Sequence, residues 1–173
     1  MRAPPFSASA LPLLDGRSRL TVKTPKSWNL AFQTGIDPNT LVFGSIRWVD
    51  WSSFRVDPEK LLQVTGSGLV DLDDTTTFTI GVGRTFTETW SGVASVTYEK
   101  SGNDLVSPLA PVNGRKGVSL AAIYTQDRIR ITTGISYTRL GDVRPETGTP
   151  DTARAEIDGS HAWGVGIRVG YSF

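Results

Sequence analysis

Four charged residues interrupt runs of small or apolar side chains at alternating positions: Arg47, Glu99, Arg130 and Arg168. A guanidinium in a dry cavity grips a carboxylate through two parallel N–H···O bonds, so arginines so placed are candidate contacts for an acidic head group. Phe43, on the same side as Arg47, would supply apolar contact. The competing reading is structural: Arg and Glu bridge neighbouring strands or grip a plug. Nothing else in the chain has the makings of catalysis. His161 is the only histidine and has no His/Cys/Glu set around it, so it reads as a rim residue rather than a metal ligand. Ser52 and Ser53 have no base nearby in sequence and no Gly-x-Ser-x-Gly elbow. Gly81-Val82-Gly83 sits inside an alternating segment with no helix after it, which argues against a phosphate loop. Glycines there more simply leave room on an inward face. No enzymatic step, cofactor or metal is expected.

These residues belong to segments with a period of two. The clearest is the last, HAWGVGIRVGYSF. His161, Trp163, Val165, Ile167, Val169, Tyr171 and Phe173 form one bulky face, and Ala162, Gly164, Gly166, Arg168, Gly170 and Ser172 a small or polar one. Aromatic residues mark both ends of the bulky face, where amphipathic rings favour a membrane–water boundary. The segment therefore reads as the closing strand of a transmembrane β-barrel, with its C-terminus at the periplasmic rim. An edge strand of a soluble β-sandwich is the alternative.

Comparable segments run from 19 to 36 (broken at Pro25), 40 to 54, 75 to 86, 90 to 100, 116 to 125 and 128 to 140. In each, residues such as Trp28, Trp48, Trp90 and Tyr98 share the bulky side. With Trp163, Tyr171 and Phe173 they are the expected membrane-interface aromatics. Short turns near 37–39, 87–89 and 126–127 alternate with long loops near 55–74, 101–115 and 141–160. Outer-membrane barrels have short periplasmic turns and long extracellular loops. Counting back from Phe173 puts every short turn on one side and every long loop on the other. The fold expected is all-β: part of an antiparallel, up-and-down transmembrane barrel of about seven long strands. Residues 1–18, rich in Pro and Ser, read as an irregular lead-in, and 19–173 as barrel.

Composition agrees. The chain has 173 residues, a net charge of +1 and no cysteine, so neither disulfides nor thiolate metal sites arise. Near-neutral charge without a basic tract gives no reason to expect nucleic acid. The slightly negative mean hydropathy is what alternation produces when two opposite faces are averaged. The first residues lack a continuous apolar signal core, since Pro4, Pro5 and Pro12 interrupt them. An exported barrel needs such a signal, so the chain is expected to be a fragment.

Pro25 with Trp28, the Asp37-Pro38 turn, Trp51-Ser52-Ser53-Phe54 and the closing Gly170-Tyr171-Ser172-Phe173 together resemble the C-terminal half of the FadL/TodX family. The resemblance covers roughly residues 19 to 173. It implies an outer-membrane transporter of hydrophobic compounds, long-chain fatty acids or aromatic hydrocarbons, built as a fourteen-stranded barrel with an N-terminal hatch. The hatch half has no counterpart here. The implied partners are hydrophobic small molecules, outer-membrane lipid, and the barrel-insertion machinery acting on the C-terminal strand. Asp71, Asp73 and Asp74 cluster before the third strand and disfavour an anionic head group, tilting the reading toward neutral hydrocarbons. Two other readings stay open. One is a small structural or adhesive barrel, eight-stranded if Arg19 to Lys23 adds a strand. The other is a soluble β-sandwich binding module.

Overall fold

The computed structural model describes residues 21–59, 68, 70, 72–107, 109, 112–146, 152–153 and 155–173. The lead-in 1–18, and Asp71 of the acidic cluster, lie outside them. Seven long strands form one antiparallel sheet: β1 (Ser27–Asp37), β2 (Thr40–Val49), β3 (Thr75–Thr85), β4 (Trp90–Glu99), β6 (Arg115–Gln126), β7 (Ile129–Leu140) and β9 (His161–Tyr171). Two short strands, β5 (Leu105–Val106) and β8 (Arg144–Pro145), pair in parallel within the long loops. The long strands neighbour one another strictly in chain order, so the sheet is an up-and-down meander with β1 and β9 at its open edges.

Local chemistry explains the turns. Asp37 accepts bonds from the Asn39 backbone N–H and the Thr40 hydroxyl, both 2.9 Å, which closes the β1–β2 connection as an Asx turn. At the β6–β7 turn, Asp127 takes a left-handed conformation (φ 51°), which Asp tolerates better than bulkier residues. Gln126 pairs with Ile129, so this turn is Asp127-Arg128, one residue later than the sequence suggests. Strand β2 also stops earlier than expected. Trp51–Ser53 is a turn of 3-10 helix, because the Asp74 carboxylate accepts the Ser52 N–H and the Ser53 hydroxyl donates to the Asp50 carbonyl, giving the backbone other partners. Residues 21–23 are not strand, and β1 begins after Pro25.

Register sorts every side chain to one of two faces. Opposed residues share a face, and the pairs Trp28–Trp48, Leu30–Ile46, Ile80–Val96, Val96–Val118, Leu120–Ile135 and Ile135–Val165 all fall together. The same face carries aromatic rings toward both strand ends. Trp28, Trp48, Tyr98, Tyr137 and Trp163 lie toward the long loops, and Trp90, Tyr124 and Tyr171 toward the short turns. Tyr137 and Trp163 are 4.8 Å apart, Trp90 and Tyr124 5.0 Å. Nothing covers this face among the described residues: Leu30 is 61% exposed, Ile80 54% and Val165 82%. A contiguous apolar surface of this kind is an association surface in water, and it suits a non-aqueous medium. Among the described residues no helix is long and apolar enough to cross a membrane; strands are a separate matter.

The opposite face is small and polar, with Ser45, Thr79 and Thr97 in one row and Gly81, Ser95, Ser119 and Ser136 in the next. Phe43 lies over Gly81, its partner across β2–β3. A methyl group at Gly81 would run into that ring and come within 2.8 Å of the Ala94 carbonyl oxygen. Gly166, on the same face of β9, has open space where a methyl would go. Gly81→Ala is therefore expected to destabilise the refolded protein by about 1–3 kcal/mol. Gly166→Ala should be neutral or stabilising by up to about 1 kcal/mol. Urea unfolding in lipid vesicles, followed by tryptophan fluorescence, measures both.

Candidate functional site

The small-polar face contains all five candidate contact residues, but the strands divide them. Arg47 opposes Thr77, Thr77 opposes Glu99, and Glu99 opposes Arg115, giving one row across β2, β3, β4 and β6 near the long loops. Arg130 opposes Gly170 and Arg168 opposes Thr132, so these two are diagonal neighbours near the short turns. Along β7 the two groups stand roughly 27–34 Å apart, at about 3.4 Å per residue. Phe43 lies between them, folded onto Gly81.

Glu99 is the most constrained of these groups, with 8% of its surface exposed. The Thr77 hydroxyl donates to its Oε2, and Arg115 Nη2 stands 3.4 Å from the same oxygen. A buried carboxylate persists only with such donors. Beside this cluster is a niche of about 290 Å³ lined by Thr77, Thr79, Thr97, Arg115, Ser119 and Thr138. Its hydroxyls both donate and accept, and the Thr79 and Thr97 oxygens are 3.4 Å apart. Arg47, Arg130 and Arg168 are exposed on the open sheet. Arg115 is the residue that sequence reasoning missed. It opens β6 just as Glu99 closes β4, and only the hairpin register puts them opposite each other.

At this end of the sheet the long loops are tied to each other. Arg144 Nε and Nη2 donate to the two Asp104 carboxylate oxygens at 2.7 and 2.8 Å. Asn113 accepts from the Gly102 N–H at 2.7 Å and donates to the Asp142 carbonyl at 3.0 Å. Asp142 in turn accepts from the Gly159 N–H at 3.1 Å. Gly114 next to it has φ 69°, and a side chain there would press on the backbone of Ser101. Val143, 2% exposed, is bridged to Ile157 beneath this network. Of the acidic cluster, Asp74 accepts the Ser52 N–H at 2.9 Å and so helps fix the 50–74 connection. His161 sits at the same end, with its ring 6.0 Å from Tyr137.

A single antiparallel sheet with one bare apolar face, aromatic rows toward both strand ends and a small-polar reverse is a portion of a membrane β-barrel wall. The comparison of structures agrees. The chain is similar to a Pseudomonas aeruginosa FadL homologue of known crystal structure, with a TM-score of 0.56 at 18% identity. The likeness covers 84% of this chain and 33% of that one, so the chain spans about a third of its length. No family model matches the chain, and no curated protein does either. The fold is thus that of part of a FadL-type barrel wall, the described residues forming an open seven-stranded sheet.

Two outcomes test this geometry. Thr77→Val removes a donor to a buried carboxylate and should lower the unfolding free energy by about 1.5–3 kcal/mol. Thr138→Val, in the same niche but away from Glu99, should cost less, as read by the same urea titration. The second concerns the loops. The Arg144 hydrogen bond holds the Asp104 carboxyl below its ordinary value of 3.8. A depressed pKa means that the loop tie is whole above 3.8 and is lost as pH falls through the lower folded value. Hydrogen exchange at the Arg144 and Glu146 amides, corrected for intrinsic rate, should rise in that acid range. Asp104→Asn should produce the same rise at neutral pH.

Proposed function

We propose that this chain forms part of a passive outer-membrane conduit for hydrophobic compounds, with no chemical step. The observation that carries the reading is the division of the sheet into a bare apolar face with aromatic rows and a reverse face of Gly, Ser and Thr. The likeness to a FadL homologue supports it, as do the sequence features shared with the FadL/TodX family. In this reading the apolar face meets lipid and the small-polar face lines the lumen. Short turns face the periplasm and tied loops the exterior. The barrel-insertion machinery would act on β9, whose apolar residues are all exposed at the sheet edge.

The ligand we favour is a neutral hydrocarbon rather than a fatty acid. Glu99 already engages Arg115, and Asp73 stands with Asp74 beside the start of β3. Asp73 and Asp74 place negative charge where a carboxylate head group would approach, and Glu99 takes Arg115 away from such a group. Arg47, Arg130 and Arg168 then serve as lumen contacts for the rest of the barrel rather than as fatty-acid anchors. The expected result is tighter binding of toluene-like ligands than of labelled long-chain fatty acid to the refolded protein in detergent. Substituting Arg47 by Gln should leave toluene binding unchanged. Tighter fatty-acid binding that Arg47→Gln abolishes would reverse the assignment.

A further inference from the structure

The apolar face is not uniform. Between the row Val82, Leu120 and Ile135 and the row Phe86 and Trp90 runs a groove of about 720 Å³, with Arg84 at one end. The register places Arg84, Gly92, Ala122 and Thr133 in the row between those two; the Phe86 ring lies over Gly92, and the small side chains of Ala122 and Thr133 form the open floor. The volume falls in the range of clefts that hold small ligands, about 300–1,000 Å³.

Arg84 is a cation at the short-turn end of the apolar face, whose other strand cations, Lys116 and Arg139, lie at the long-loop end. It is exposed and forms no salt bridge with a described residue, the Asp37 carboxylate acting on it only through space. The carboxylate across the β1–β2 turn, Asp37, is already engaged by the Asn39 N–H and the Thr40 hydroxyl. The rings beside Arg84 fix its depth. Trp90 and Tyr124, 5.0 Å apart, lie one row nearer the short turns, at the level where such rings meet lipid head groups. A fixed cation at head-group depth, opening onto an apolar groove that runs toward the middle of the sheet, matches one kind of occupant. That occupant has an anionic phosphate and a flexible hydrocarbon chain. From this we infer that the groove is a binding site for a phospholipid of the periplasmic leaflet. Its phosphate pairs with Arg84 and one acyl chain lies over Ala122 between the two rows. The inference rests on the apolar face meeting lipid, and is independent of what crosses the lumen.

Native mass spectrometry of the full chain, refolded in detergent and titrated with dimyristoylphosphatidylglycerol, tests it. Heat-modifiable migration on gels verifies that each variant is folded. Arg84→Gln and Ala122→Leu, which fills the floor, should each weaken lipid retention about tenfold, the loss of one charge-assisted contact or its equivalent. Arg168→Gln, on the other face, should not. Dimyristoylglycerol, lacking the phosphate, should be retained about as weakly by the unaltered protein as the phospholipid is by Arg84→Gln. Glycerol phosphate, lacking the chains, should not be retained. Equal retention of phospholipid by all three variants overturns the inference, and so does equal retention of dimyristoylglycerol and phospholipid. If Ala122→Leu does not fold, Arg84→Gln, an exposed substitution, decides alone.

Discussion

The interior strands satisfy their backbone N–H and C=O groups through their neighbours in one sheet, and among the described residues no second layer covers either face. That constraint governs the rest. A sheet packed on helices or on another sheet can bury one apolar face in protein. Here the bulky face, from Leu30 through Ile80 to Val165, has no protein over it among the described residues. The cost of hydrating it can be avoided only if the surroundings are themselves apolar. Charged side chains are thereby confined to the reverse face or to the strand ends. Tyr98, Tyr137, Trp90 and Tyr124, amphipathic rings, hold the boundary between the two regimes.

The reverse face follows a second rule, set by the charges. Glu99 with Thr77 and Arg115 occupies one end, and Arg130 with Arg168 the other. Between them the rows are neutral and small: Gly81, Ser95, Ser119, Ser136 and, one row on, Gly83, Val93, Ala121 and Gly134. A charge in the middle would need a partner in a place with few donors, whereas charges at the ends reach water or loops. Phe43 over Gly81 and Leu41 over Gly83 put what apolar bulk there is flat against the wall, which keeps the waist open. In the conduit proposed above, a neutral waist between charged rims would offer an apolar solute no strong electrostatic trap along its way. Arg84 stands apart from this arrangement. It is placed on the bulky face, at the margin where that face gives way to the aromatic row.

The period of two and the alternation of short and long connections were legible in the residues because each depends on neighbours in sequence. Asp37-Pro38-Asn39 turns the chain by itself, and His161 to Tyr171 sorts its own side chains. The strand count, the neighbour order and the faces of Arg47, Glu99 and Trp163 all follow from that local information. What was not legible depends on register across long loops. Arg115 meets Glu99 only because β4 and β6 pair from Glu99–Arg115 down to Trp90–Tyr124, and no local signal announces it. The tie between Asp104 and Arg144, and the parallel bridge of β5 with β8, join loops separated by two whole strands. Trp51–Ser53 bends into 3-10 helix because Asp74, distant in sequence, takes the Ser52 N–H. Alternation over 40–49 gives no warning of that.

The open edges carry the last consequence. Seven strands that alternate in direction leave β1 and β9 running the same way, both toward the short-turn end. Joining them directly would make a parallel seam in an otherwise antiparallel sheet, and so would joining β9 to β1 of a second copy inserted in the same sense. An all-antiparallel closure instead takes an odd number of further strands, with both outer ones running toward the long loops. In hydrocarbon an open edge is costly, since each bare N–H and C=O lacks even water as a partner. The same parity that sorts turns from loops therefore constrains what can complete the wall of the described strands: a segment of odd strand count whose outer strands run toward the long loops fits, and a duplicate of these seven strands inserted in the same sense does not.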